Sequence, residues 1–141
     1  MEQEWMPFII SIKTALTATM ITFFLGIFAA NKINKINPKH KGILDSLFTL
    51  PMVLPPTVIG FFLLVILGRN GFIGKLLYSI GINVIFSWGA TVIAAVVVSF
   101  PLMYSTAKGA FEQIDKNILN AAQTMGVSNF KIFWKIMIPL A

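Results

Sequence analysis

Few side chains in this 141-residue chain have the types and spacing needed for chemistry. The sequence has no cysteine, five acidic residues and a single histidine, His40, that lies between Lys39 and Lys41. It contains no Ser/His/Asp set, no paired carboxylates within an apolar segment, no histidines at metal-ligand spacing and no glycine-rich phosphate loop followed by Lys-Ser or Lys-Thr. We therefore predict no catalytic site and no metal site. If ATP drives a process in which this chain takes part, another chain must hydrolyse it.

The segment Leu50–Gly60 is expected to expose unpaired backbone carbonyls, because it contains three prolines within an apolar stretch. Each proline lacks an amide donor, so carbonyls one helical turn earlier lose their usual partners. Irregular backbone at membrane depth is tolerated where it is buried in protein or faces water. Two interpretations stay open: a proline kink satisfied by neighbouring helices, or the lining of a translocation pathway. The candidate lining residues are Pro51, Pro55, Pro56, Thr57 and Gly60.

Near the end of the sequence, Gly126 separates two short amphipathic segments. Glycine can adopt a positive φ angle, so we predict two short helices that meet at an angle, with Ser128 capping the second. We call these two segments the elbow. Two helices that meet at an angle form a protruding surface to which another protein can bind. The alternative is an amphipathic stretch that lies on the bilayer surface with its lysines on anionic lipid. The apolar faces predicted from helical spacing are Ile114, Ile118, Ala121, Ala122 and Met125 before the glycine, and Phe130, Phe133, Trp134 and Met137 after it.

The composition indicates a membrane protein. Hydrophobic residues make up 57% of the chain, charged residues make up 11%, and the mean hydropathy is +0.83. Three apolar segments, at about 8–30, 43–67 and 84–107, reach the roughly 20 residues that a hydrocarbon core requires. We therefore predict an all-α integral membrane protein with three transmembrane helices in a single partial domain, 1–141, followed by a helical loop at about 110–138.

The basic residues predict the orientation of these spans. Only Arg69 and Lys75 lie between the second and third segments, whereas lysines crowd the other two connections. These lysines are Lys32, Lys35, Lys39 and Lys41 in the first connection, and Lys108, Lys116, Lys131 and Lys135 beside or within the last. Basic loops remain in the cytoplasm, so the N-terminus is predicted to lie outside and the 110–138 loop inside. Because this bias explains most of the formal net charge of +6, we predict no nucleic-acid partner.

Several polar or amphipathic residues near the spans receive structural interpretations. Lys13 is expected to extend toward the outer interface, and Asp45 to pair with a lysine or start a helix. Threonines of the first span are expected to form hydrogen bonds across helices. Trp5 and Trp88 fit an outer aromatic belt, and Tyr104 fits an inner one.

The run from Asn120 to Pro139 resembles the cytoplasmic "EAA" loop of the permease subunits of ABC importers. That loop reads Glu-Ala-Ala, three residues, Gly, nine residues, Ile-x-Leu-Pro, and this chain has Ala121, Ala122, Gly126, Ile136 and Pro139 at the matching positions. Asn120 stands in place of the glutamate, which removes a charge able to pair with a basic residue of the ATPase, and Ile138 replaces the leucine. The resemblance implies that these residues couple the permease to a cytoplasmic ATPase.

A narrower resemblance links the chain, from the second span onward, to the molybdate ABC transporter permeases. It rests on Leu54–Gly60, then Gly68–Gly74, then Ser99–Met103, in that order and followed by the loop. Tungstate and sulfate/thiosulfate permeases are close relatives and stay open as alternatives, as does a non-transporting membrane scaffold that docks an ATPase. Members of this family continue with further spans beyond the loop, so the chain is expected to be C-terminally truncated.

The resemblance also implies an assembly. Two permease copies, as a homodimer in a bacterial or archaeal cytoplasmic membrane, would join two cytoplasmic ABC ATPase subunits and an external oxyanion-binding protein. The resemblance further implies a partial type I importer fold, with no catalytic site on the permease itself. ATP and magnesium would bind to the ATPase, and this chain would hold no cofactor.

Overall fold

The structure is a computed structural model that describes residues 2–81 and 84–141. Within these ranges every regular element is helical. The helices are α1 (Glu2–Asn34), α2 (Pro38–Val53), α3 (Pro56–Leu67), α4 (Phe72–Ser79), α5 (Trp88–Glu112), α6 (Lys116–Thr124), α7 (Asn129–Ile132) and α8 (Ile138–Leu140), and a π-helical turn, Phe133–Met137, joins the last two. Two of them, over Trp5–Asn34 and Trp88–Glu112, are long and apolar enough to cross a membrane. The prediction of an all-α membrane protein is therefore confirmed.

Helices α1 and α5 form the main packed pair of the fold. The Thr14 hydroxyl accepts a hydrogen bond from the Trp88 indole N–H at 2.9 Å, and the Thr22 and Ser99 hydroxyls lie 3.0 Å apart. Gly26 allows close approach, since a Cβ there would lie 2.6 Å from Met103 Cγ. The partners advance together along both helices, so α1 and α5 run parallel. The predicted cross-helix bonding of threonines is confirmed at these two positions.

Helices α2 and α3 follow α1 in the chain and form a bent pair. Contacts of Asp45 with Lys108 and of Lys41 with Glu112 show that α2 runs antiparallel to α5. Neither helix has the roughly 20 residues that a span requires, and their axes differ in direction by 111°. The apolar segment predicted as the second span, 43–67, thus contains two helices with a sharp break at its prolines. Within the described residues, two helices are long and apolar enough to be spans, or three spans are possible if the bent pair counts as one.

The break follows from the paired prolines Pro55 and Pro56. A proline disfavours helical geometry in the residue before it, and both preceding residues are extended, with ψ of 139° at Leu54 and 141° at Pro55. Pro51 instead lies inside α2 without ending it.

The third span and one aromatic residue also differ from prediction. Helix α5 begins at Trp88 instead of Val84, because the Ser87 hydroxyl caps its N-terminus by accepting a hydrogen bond from the Ala90 N–H. Tyr104 is only 1% exposed, stacks with Phe100 and packs edge-on against Phe48. It therefore belongs to the interior and not to an aromatic belt, because α2 covers it.

Candidate functional site

The elbow is built around a left-handed glycine at the end of α6. Gly126 has a φ of +76°, as predicted. The Val127 N–H bonds to the Ala122 carbonyl at 3.1 Å, and the Gly126 N–H bonds to the Gln123 carbonyl at 3.0 Å. This pair of bonds is a Schellman motif, which satisfies carbonyls at a helix end and requires positive φ at the glycine. The motif fixes the angle at which the chain leaves α6.

The caps of the two elbow helices are only partly as predicted. Asp115, which the sequence reasoning overlooked, caps α6 by accepting a hydrogen bond from the Asn117 N–H at 2.9 Å. An acidic residue just before an amphipathic stretch is a helix-start signal that could have revealed it. Ser128 occupies the N-cap position of α7, but its side chain makes no capping hydrogen bond. The prediction for Ser128 is thus right in position and wrong in mechanism.

One side of the elbow packs against the ends of α1 and α5. Ala122 is 7% exposed and Phe133 is 4% exposed, and both belong to the main apolar cluster of the fold. The Phe133 ring lies 6.1 Å from Phe28 on α1 and 6.1 Å from Phe111 on α5, measured between ring centroids. The other buried members of the cluster are Ala30, Ile33, Tyr104, Ala107, Ile114, Ile132 and Met137. These contacts bind the elbow to both long helices.

The other side of the elbow is exposed and partly apolar. Met125 is 82% exposed and Phe130 is 73% exposed, and Asn120 and Ala121 beside them are also exposed. Of the residues predicted to share one apolar face, Ile114 and Ala122 are buried, whereas Ile118, Ala121 and Met125 are exposed. Ile114 lies in the turn 113–115 between α5 and α6, and Met125 is the C-cap residue of α6.

The last matched positions of the family loop lie beyond α7. Ile136 is half-buried within the π-helical turn, and Pro139 lies in the short α8 and is exposed. A π-helical turn inserts an extra residue into a helix and often occurs at functional sites. This turn was not predicted from the sequence.

A second candidate region is a cavity of about 860 Å³ between α1, α3 and the start of α5. Of the five residues predicted to line a pathway, Gly60 lines this cavity; Pro51, Pro55, Pro56 and Thr57 are not among its lining residues. Lys13 also lines it, with Nζ 4.7 Å from the centre of the Trp88 ring. This distance is that of a cation–π contact.

Metal ligands are not grouped in the part of the chain that the structure describes. No set of three His, Cys, Asp or Glu side chains within 2–81 and 84–141 is close enough to hold an ion.

Comparison with known proteins gives relatives over almost the whole chain. The molybdenum transport system permease protein ModB of Escherichia coli strain K12 is 41% identical over 140 residues, covering 99% of this chain and 61% of that protein. The protein of the same name from Haemophilus influenzae is 40% identical over 133 residues, covering 94% of this chain and 58% of that protein. The probable sulfate transport system permease protein cysT of Chlorokybus atmophyticus is 34% identical over 132 residues. The match covers 94% of this chain and 46% of that protein. The chain thus spans about 61% of the length of its first relatives.

A family model gives the same assignment. Residues 22–141 match the model for binding-protein-dependent transport system inner membrane components. This range includes the broken α2–α3 pair, α5 and the whole elbow. The resemblance inferred from the sequence motifs is confirmed, and the chain belongs to the family of binding-protein-dependent transport system inner membrane components.

Proposed function

We propose that this chain is part of the transmembrane permease subunit of an ATP-driven ABC importer that carries molybdate across the cytoplasmic membrane. The observation that carries the proposal is the elbow, which is anchored on one side and presents exposed apolar residues on the other. ATP and magnesium bind to a separate cytoplasmic ATPase subunit in this proposal. The N-terminus lies outside, so that the elbow faces the ATPase.

The elbow is the proposed docking element for the ATPase. Phe130 and Met125 supply apolar surface, and Asn120 and Ala121 leave room for close approach of the partner. Ala122 supports the elbow from inside, since it packs in the apolar cluster. Because Phe133 contacts both α1 and α5, movement of the ATPase would displace the ends of both helices together.

The pathway is proposed to follow the broken α2–α3 pair. Extended backbone at Leu54 and Pro55 interrupts the helix, and such interruptions at membrane depth require water or protein partners. Pro51, Pro55, Pro56 and Thr57 would line the pathway at the break, and Gly60 would line it at the cavity. A second copy of the permease would close the pathway, and an external oxyanion-binding protein would deliver the anion.

Molybdate is the first candidate substrate because the relatives at 40–41% identity are named as molybdenum permeases. Sulfate is the second candidate because of the relative named as a sulfate permease, at 34% identity. Both are tetrahedral dianions.

Two phenylalanines three residues apart provide a matched test of the docking surface. Phe130→Ala is expected to change the free energy of unfolding by less than about 0.5 kcal/mol, because the ring is exposed. The same substitution is expected to weaken association with the ATPase by about tenfold. Phe133→Ala is expected to cost about 3 kcal/mol of stability, because it opens a cavity in the apolar cluster.

The measurement combines thermal denaturation in detergent with affinity for the ATPase, both on the full-length permease that contains this chain. Unchanged ATPase affinity in a folded Phe130→Ala variant would argue against the exposed side of the elbow as the docking surface.

A further inference from the structure

A cluster of four charged side chains joins α2 to α5 near the elbow. The Lys108 ammonium lies 2.5 Å from a carboxylate oxygen of Asp45, and Lys41 lies 2.8 Å from Glu112. Lys108 is also 3.9 Å from Glu112, one turn along the same helix. The Tyr104 hydroxyl donates a hydrogen bond to Asp45. We call these five residues the charge cluster.

The charge cluster also extends to α1. Lys41 donates a hydrogen bond to the Asn34 side chain at 3.2 Å, so one lysine contacts the last residue of α1 and a carboxylate of α5. Asp45 was expected to pair with a lysine or to start a helix, and its pairing with a lysine is confirmed. The partner, 63 residues away, could not be identified from the sequence alone.

The cluster does not have the character of an anion-binding site. Its two lysines are matched by two carboxylates, so no net positive charge remains to attract a dianion. The Lys108 and Asp45 side chains are 20% and 24% exposed, which is a partly desolvated environment where a pair is screened less than on the surface. Lys41 and Glu112 are 29% and 48% exposed. The electrostatic attraction in the Asp45–Lys108 pair is therefore stronger than that in the Lys41–Glu112 pair.

The position of the pair links the two candidate functional regions. Lys108 lies one turn before the end of α5, which leads directly into the elbow. Asp45 lies on α2, the helix that ends at the proline break. Aromatic packing of Phe48 against Phe100 and Tyr104 joins the same two helices one turn further on. A displacement of the elbow end of α5 would thus reach α2 through a charged contact and an apolar one.

We propose that the Asp45–Lys108 pair is a positioning element that transmits movement of the elbow to the broken α2–α3 pair. The inference rests on the proposed transport function, and it assigns to the pair no contact with substrate. An ion pair suits this task because it holds two helices in register while allowing small rotations. Without it, the elbow would still dock the ATPase, but α2 would follow its movement less closely.

The test compares oxyanion uptake with ATP hydrolysis in proteoliposomes that contain the full-length permease, its ATPase and loaded binding protein. Asp45→Asn and Lys108→Met are each expected to lower the ratio of uptake to ATP hydrolysed about tenfold, a size typical of coupling between sites. The double variant is expected to be no worse than either single variant, because both remove the same contact. The charge exchange Asp45→Lys with Lys108→Asp is expected to restore much of the ratio. Lys39→Met, at an exposed lysine of α2 outside the charge cluster, is the matched control and is expected to change the ratio less than twofold.

The outcomes separate this inference from the function on which it rests. A parallel fall of uptake and hydrolysis, with no rescue by the charge exchange, would reduce the pair to a structural role and overturn the inference. An unchanged ratio in folded single variants would also overturn it. If the unmodified complex failed to couple ATP hydrolysis to uptake of any tetrahedral oxyanion, the proposed function would fail first, and this inference with it.

Discussion

Replacing Gly126 with valine is expected to uncouple ATP hydrolysis from uptake in the full-length transporter. Gly126 has a φ of +76°, and a β-branched residue is strongly disfavoured there. Left-handed geometry costs an ordinary residue about 1–2 kcal/mol, so the Schellman motif would open and the angle between α6 and α7 would change. We expect uptake to fall by about tenfold or more while the ATPase continues to hydrolyse ATP.

Two other variants control for strain and for side-chain size. Gly81 also has positive φ, at +79°, and at both glycines an added Cβ would meet no atom within 4 Å. Gly81→Val therefore imposes similar strain outside the elbow, and uptake is expected to stay near the unmodified level. Gly126→Asn is expected to be tolerated, since asparagine accepts left-handed geometry. Unchanged uptake by Gly126→Val at equal expression would contradict the elbow mechanism.

The second large effect is expected from removing the proline break. The double substitution Pro55→Ala and Pro56→Ala restores two amide donors and frees Leu54 and residue 55 to become helical. A continuous helix from Pro38 to Leu67 would be about 45 Å long, beyond the roughly 30 Å hydrocarbon core. Uptake is expected to be abolished, because the interrupted backbone proposed to line the pathway would no longer exist.

The chain contains no cysteine, so the geometry of the break can be measured with introduced spin labels. Labels at Ser46 and Val65, both exposed, would be about 28 Å apart in a straight helix, and closer in the bent pair. The double variant is expected to lengthen this distance. Pro51→Ala is the control, because Pro51 lies within α2 and its replacement leaves the break in place. An unlengthened distance, or uptake that survives straightening, would contradict the proposed role of the break.

Local features of the backbone were the most predictable from sequence. The length of the apolar runs identified α1 and α5, because a membrane span needs a minimum number of apolar residues. The positive φ of Gly126 and the interruption near Pro55 were also foreseen, since both follow from the geometry of a single residue type. The size of the bend, 111°, was not predicted, because it depends on two consecutive extended residues.

Side-chain placement was less predictable, because it depends on which helices pack together. Tyr104 was assigned to a membrane interface, yet α2 covers it and its hydroxyl reaches Asp45. Ala122 and Met125 were assigned to one apolar face, yet Ala122 packs in the apolar cluster and Met125, at the C-cap of α6, is exposed. The charge cluster joins residues that are far apart in sequence, so charge patterning alone could not reveal its pairs.

The most direct test of the account is the ATPase activity of the reconstituted complex, with full-length permease, ATPase and external binding protein loaded in turn with molybdate, tungstate or sulfate. We predict that the molybdate-loaded protein stimulates hydrolysis and that the unloaded protein does not. Stimulation by tungstate or sulfate instead would keep the importer mechanism and change its substrate. An intact complex that no loaded form stimulates would contradict the importer account and favour a scaffold that docks an ATPase without transport.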